Sequence, residues 1–407
     1  MTAIKTETAP YVEAFRARGG SGEPLWLAER RRMAAARFEE LGFPTRRQEQ
    51  WRFTNLAPLT RSAFPPGGVE GRMRIELAGE LPPGVWLGSV QEALRERPEL
   101  LRAVLDETEI AGAQAFALLN AALFDDGYVL ALEPGIALEH PVEIVHRGEG
   151  GGSCHPRSAI LLGERSSATV VETFHRSGTG WTNSVSVARL APNAHLRHVT
   201  VQESGPEAIH FGLARAALAS GARYENFVLT LGARLSRIDL HAAIEGEGAH
   251  CGLAGATLLR GNQEATVATF VDHAAPGGET REVFKSVVDD RAHGVFLGKI
   301  AVRPGSDKTD ANQVSRNLLL SPRAAVDTKP ELEILADDVK CSHGATVGDL
   351  DAAALFYLRS RGIDEATARG MLIEAFAADA VDGAVPAGPI RDHLRRRLGV
   401  WLEQRGS

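Results

Sequence analysis

Only three of the 407 residues are cysteine, and Cys154, Cys251 and Cys341 lie 97 and 90 positions apart. Neither a disulfide framework nor a zinc knuckle has such spacing, so reduced thiols are expected. Long apolar runs are missing as well. None approaches the roughly 20 residues of a spanning helix, and the polar start MTAIKTETAP lacks the apolar core of a signal peptide. A cytoplasmic chain with no membrane association is expected. There is no basic excess either: a net charge of -7 and a pI near 6.0 give no reason to expect a nucleic-acid surface. The basic runs ERRRM and HLRRRLG fall on helix-like segments with acidic or apolar neighbours and read as solvated faces.

Enzyme motifs are equally scarce. G-x-S-x-G, H-E-x-x-H and C-x-x-C do not occur. GVFLGKI has three residues between its glycines where a phosphate loop has four, and Ile300 where a Ser or Thr would hold magnesium. GEGAHCG misses the dinucleotide spacing and reads as a turn. What is present is an average globular composition, 44% apolar and 24% charged. The length exceeds one conventional core, so two or three domains or an elongated solenoid are expected.

The pattern divides the chain into three. Residues 1–135 read as a mainly helical domain. In EPLWLAERRRMAAARFEELGFP, Leu27, Ala34, Phe38 and Leu41 recur at helical intervals between Pro24 and Gly42, and SVQEALRERPELLRAV and AFALLNAALF again read as helix. Residues 136–347 are short alternating runs such as SATVVETF, HLRHVTVQ, RLSRIDLHAAI, ATVATFVDH and LEILADDV, separated by turn clusters. A sandwich, a barrel or a parallel β-helix would absorb them. The small-residue turns at Ala194, Ala222, Ala233 and Ala249 are spaced by 28, 11 and 16, an irregular period that leaves the β-helix only slightly ahead of the other two. Residues 348–407 return to helix, with Met371, Leu372, Ala375 and Phe376 on one face and Ile390, Leu394, Leu398, Trp401 and Leu402 on another.

Among the scattered histidines and cysteines, one pair stands apart. Cys341 and His343, in ELEILADDVKCSHGATVG, are two positions apart, so in an extended chain sulfur and imidazole project to the same side. Gly344 leaves room for a ligand or partner backbone. Two ligands of mixed soft and imidazole character do not close a metal site, and the remainder would come from another protein. Cys154 and His155, being adjacent, point to opposite faces, and Cys251 reads as a small core residue.

The continuous run from Lys308 to Ile363 closely resembles the SufB/SufD family of iron-sulfur cluster assembly scaffolds, and VKCSHGATVG followed by ALFYLRSRGI looks like its SufD branch. Gln48 to Leu59 and Phe116 to Gly127 resemble further family segments, and Leu335 stands where an aromatic is usual. The resemblance implies a right-handed parallel β-helix between helical terminal domains. It also implies a non-catalytic scaffold that pairs with SufB through the β-helix and with the SufC ATPase through its tail helices. A homodimer of the lone chain is compatible with it. His343 and Cys341 become candidate ligands of a transient iron-sulfur cluster shared with SufB, and no permanently bound cofactor is implied. Leu355, Phe356, Tyr357, Leu358 and Arg361 become candidate partner contacts. Two rivals follow from the residues alone. One is a β-helix enzyme acting on polysaccharide, for which Asp337 and Asp338 are poorly placed because adjacent extended residues diverge. The other is a purely structural interaction protein in which Cys341 and His343 are inert.

Overall fold

The computed structural model describes residues 7–18, 23–62, 64–66, 72–105 and 114–404. The first six residues of the polar start lie outside them. The strand-rich middle winds into a parallel β-solenoid, the β-helix expected from the resemblance, with helices at both ends of the chain. Each turn contributes one strand to a nine-stranded sheet and one to a ten-stranded sheet, so strands of alternate sequence order are neighbours.

In-register positions in the first sheet are His195, Arg223, His250, Glu279, Asp310 and Lys340. Each turn therefore takes 27 to 31 residues there. Ala194, Ala222 and Ala249 immediately precede three of these strands, whereas Ala233 lies at a corner leading to the other sheet. Mixing the two corner types is what made the period look irregular. Alternation sends every second side chain into the lumen, where Leu196, Tyr224, Cys251, Thr280 and Ala311 stack in one buried column.

Three strands fall before residue 136. Arg72–Leu77 pairs antiparallel with Val142–Gly148, Val85–Ser89 pairs antiparallel with Tyr128–Leu132, and the latter joins the second sheet in parallel. The solenoid thus begins among the helices. The helical part covers the outer face of the second sheet: Phe116 stacks on Phe211 with centroids 4.4 Å apart, and Trp51 stacks on Phe116 at 5.1 Å. Leu27, Ala34 and Phe38 of the helix Leu25–Leu41 are buried as the periodicity indicates. Arg31, read as part of a solvated basic run, is buried too. Its guanidinium is 3.0 Å from Glu23, donates to the Ala122 carbonyl and lies 4.0 Å above the Phe124 ring, so the cation is compensated on all sides.

The tail helices Glu365–Ala384 and Pro389–Glu403 cover the outer face of the first sheet, at Val199, Phe227, Leu229 and Ala256. Leu394, Leu398 and Trp401 are buried as expected. In the preceding helix the expected face is wrong: Met371 is exposed, and Ala368, Ile373, Ala377, Ala380 and Val381 are buried. Small side chains let this helix lie close on the sheet, and the large ones are left to the rim. Lys285 of the sheet, itself buried, anchors it by donating to the Asp379 carboxylate and the Phe376 carbonyl.

Candidate functional site

The segment ELEILADDVKCSHGATVG is not one strand. Ala325–Ile334 ends one side of the last turn, residues 335–339 form the corner carrying Asp337 and Asp338, and Lys340–Gly348 forms the other side. A turn of the solenoid has to change sheets there, which extended backbone cannot do. Ala325–Ile334 and Lys340–Gly348 are the terminal strands of their sheets, each hydrogen-bonded on one edge only. Ile334, Leu335 and Val347 are exposed on this turn.

Within it, Cys341 is in register with Ala311 and His343 with Gln313. Ala311 and Gln313 are fully buried lumen residues, so Cys341 and His343 share the lumen-side face at the uncovered end of the solenoid. Cys341 is half-buried against the core, and burial raises its thiol above the usual range, with Asp310 adding to the effect and a backbone hydrogen bond at Ala311 opposing it. His343 is exposed. Among the described residues no group of three or more His, Cys, Asp or Glu side chains is placed to hold a metal ion. This end offers one thiol and one imidazole.

Beneath His343 lies a buried polar layer that sequence reasoning missed. Gln313 Nε2 donates to Glu282 Oε2 at 2.7 Å, and Thr269 donates to the same oxygen at 2.9 Å. The Gln313 amide crosses the lumen onto Gly298, where a Cβ would come within 2.2 Å of Nε2. Here the second glycine of GVFLGKI has a structural reason unrelated to phosphate. Burial pushes the Glu282 carboxyl up to about 7. Gln313 and Glu282 are 30 and 61 positions before His343, and only the turn length brings them together.

Leu355, Phe356, Tyr357 and Leu358 lie on the helix Ala352–Ser360, with Arg361 at its C-terminal cap; the helix is started by Asp351, whose side chain accepts from the Ala353 and Ala354 amides. None of its residues is buried. Phe356 and Tyr357 are 74% and 57% exposed, Leu355 and Leu358 are half-buried, and Arg361 lies 5.2 Å over the Tyr357 ring. The two groups of candidates are thus on separate elements, the last turn and the helix after it. Cys251 is a buried core residue, and Cys154 and His155 diverge as expected, the imidazole packing against Tyr11 and Trp181.

A family model described as the SufBD core domain of the SUF system for FeS cluster assembly matches residues 144–376. The chain is 31% identical to the iron-sulfur cluster assembly protein SufD of Escherichia coli, covering 89% of this chain and 90% of that one. An iron-sulfur cluster assembly SufBD family protein of Synechocystis is 30% identical, over 91% of this chain and 90% of its own. The chloroplastic protein ABCI7 of Arabidopsis thaliana is 27% identical, over 88% and 82% respectively.

Proposed function

The chain belongs to the SufBD family of iron-sulfur cluster assembly proteins, and from that premise we infer that it is a SufD-like, non-catalytic scaffold subunit acting in the cytoplasm. It pairs with SufB through the uncovered end of its solenoid and with SufC through its tail helices. The cluster is cargo, held between His343, with Cys341 behind it, and ligands from SufB.

The observation that carries this reading is the last turn itself. It leaves two strand edges unpaired, exposes three large apolar side chains, and places an imidazole with no partner among the described residues beside a thiol. Unpaired edges invite a second chain, and an incomplete ligand set suits a cluster that has to be passed on. When SufB is absent, the same edges serve a second copy of this chain. On the tail, nucleotide-driven approach of two SufC subunits would move the helix Ala352–Ser360 and reshape the shared interface.

The test is reconstitution of the complex from purified chains, followed by size-exclusion chromatography. Co-elution with SufB and SufC is expected. Phe356→Asp with Tyr357→Ser is expected to abolish SufC binding while leaving the unfolding free energy within about 0.5 kcal/mol of wild type, since both side chains face solvent. Undiminished SufC binding by that variant would remove this helix from the interface.

A further inference from the structure

At the other end of the lumen from His343, Cys154 sits in a site that the cluster reading does not use. Cys154 pairs in register with Thr182, and Thr182 with His210, all on the lumen-facing side of the second sheet. Arg176, at the end of the facing strand Ser167–Arg176, is 2% exposed and reaches across to them. Its Nη2 donates to Cys154 Sγ at 3.1 Å and its Nε donates to Thr182 Oγ1 at 3.1 Å. With that oxygen lone pair engaged, the Thr182 hydroxyl proton is free to point at Sγ, 3.4 Å away. The sulfur therefore faces two donors, one of them charged.

Space for the guanidinium is built into the backbone. A Cβ at Gly180 would stand 2.0 Å from Arg176 Nη1, and one at Gly148 would stand 3.0 Å from Nη2. Among the described residues Arg176 forms no ion pair with a carboxylate. A buried cation without a counter-ion is costly; Nη1 donates to the Gly150 carbonyl at 3.4 Å, and the group set against Nη2 is the cysteine sulfur. Cys154 opens on a cavity of about 230 Å³ lined also by Met73, His146, Arg147, Phe174 and His175. His146, more than nine-tenths buried, turns its Nε2 to Glu172, 3.6 Å from Oε1, and His210, both of whose ring nitrogens are unpaired, lies behind Phe174 rather than on the cavity wall. The polar and charged side chains that line the cavity, Asp125, Asp126, Arg147 and His175 among them, suit a polar occupant.

We propose that Cys154 is a thiol-modification site, a guanidinium-backed nucleophile that exchanges with low-molecular-weight disulfides and holds the small thiol in the adjoining cavity. The thiolate attacks one sulfur of the disulfide. The Cys154–S–S–R bond forms as the R–S–S–R bond breaks, and the displaced RS⁻ takes a proton from solvent, so the exchange needs no further oxidant. The other two cysteines are poor competitors. Cys251 is fully buried and its thiol is pushed well up by burial, and Cys341 is half-buried against the core with no guanidinium on its sulfur among the described residues. The assignment is independent of the role given to His343.

The test uses the reduced full-length chain, exposed anaerobically to 2-hydroxyethyl disulfide, quenched with acid and mapped by peptide mass. The expected result is a single fast adduct on Cys154, at least about tenfold faster than on Cys341, and a slowing of about tenfold in Arg176→Met and in Gly180→Ala, which displaces the guanidinium. Thr182→Val, nearly the same shape, keeps the test valid where the Arg176 variant fails to fold, and is expected to slow Cys154 as well. A fast adduct on Cys251 or Cys341, no adduct on Cys154, or wild-type rates in folded Arg176→Met or Thr182→Val would overturn the proposal.

Discussion

Arg237→Ala is expected to lower the unfolding free energy by about 3–5 kcal/mol, a large fraction of the roughly 5–15 kcal/mol that holds a typical domain together. Arg237 lies on the outer face of the second sheet and is 1% exposed. It holds Asp239 at 2.8 Å, donates to the Gln50 carbonyl and to Thr54 Oγ1, and sits 3.8 Å from the centroid of the Trp51 ring. One guanidinium thus ties the segment Gln50–Thr54 to the solenoid. Truncation leaves the Asp239 carboxylate buried and uncompensated, which costs far more than the pair contributes. The double variant Arg237→Met with Asp239→Leu removes both charges and is expected to recover most of the loss. Urea unfolding of the three variants checks this. A loss under about 1 kcal/mol in the single variant would mean that the pair behaves as a surface pair does.

Acid is expected to destabilise the protein well before ordinary carboxylates titrate. Burial pushes His155 and His210 down to about 3 and His273 down to about 4. In the unfolded chain each binds a proton near 6.5, so between about 6.5 and 4 the unfolded state holds protons that the native state refuses. Stability then falls with pH by about 1.4 kcal/mol per unit for each histidine. Glu282 works in the opposite direction. Its native value of about 7 exceeds the unfolded one, so from 7 down to about 4.5 the native state binds the extra proton. Burial pushes His241 down to about 4 as well, so four groups against one leave a net slope of about 4 kcal/mol per pH unit between 6.5 and 4.5. Below that window Glu172 adds to the loss. Burial alone would raise its carboxyl, but the His146 and His198 imidazoles more than reverse this and hold it far below the usual range. Urea midpoints at three pH values between 6.5 and 4.5 measure the slope, and His210→Phe is expected to remove one histidine's share. A flat profile from 6.5 to 4.5 would contradict the burial assigned to these histidines.

Strand alternation made the relation between Cys341 and His343 legible without the fold, because two residues suffice to define a face. What lay beneath them was not legible. Gln313 and Glu282 are found only once the turn length of the solenoid is known, and the corner at Ala233 masked that length. Helix faces followed the sequence where large side chains do the packing, as at Leu394, Leu398 and Trp401. They did not where a sheet selects small ones, which is why Ala368 and Ala377 are buried and Met371 is not. Buried cations were the other blind spot. Arg31 read as part of a solvated basic run and nothing in the sequence set Arg176 or Arg237 apart, yet each is buried by partners distant in sequence: the Ala122 carbonyl, the Cys154 sulfur and the backbone at Gln50.

The central claim is that the uncovered last turn presents His343 to a shared cluster. The most direct test is anaerobic cluster reconstitution on the complex of this chain with SufB and SufC, comparing wild type with His343→Ala by visible absorption and iron content. An exposed residue without partners among the described residues can be removed without loss of fold, so the complex is expected to assemble in both cases and the cluster only in the wild type. A complex of His343→Ala carrying the same iron and the same absorption would contradict the claim and leave this chain as architecture around a site built entirely by its partner.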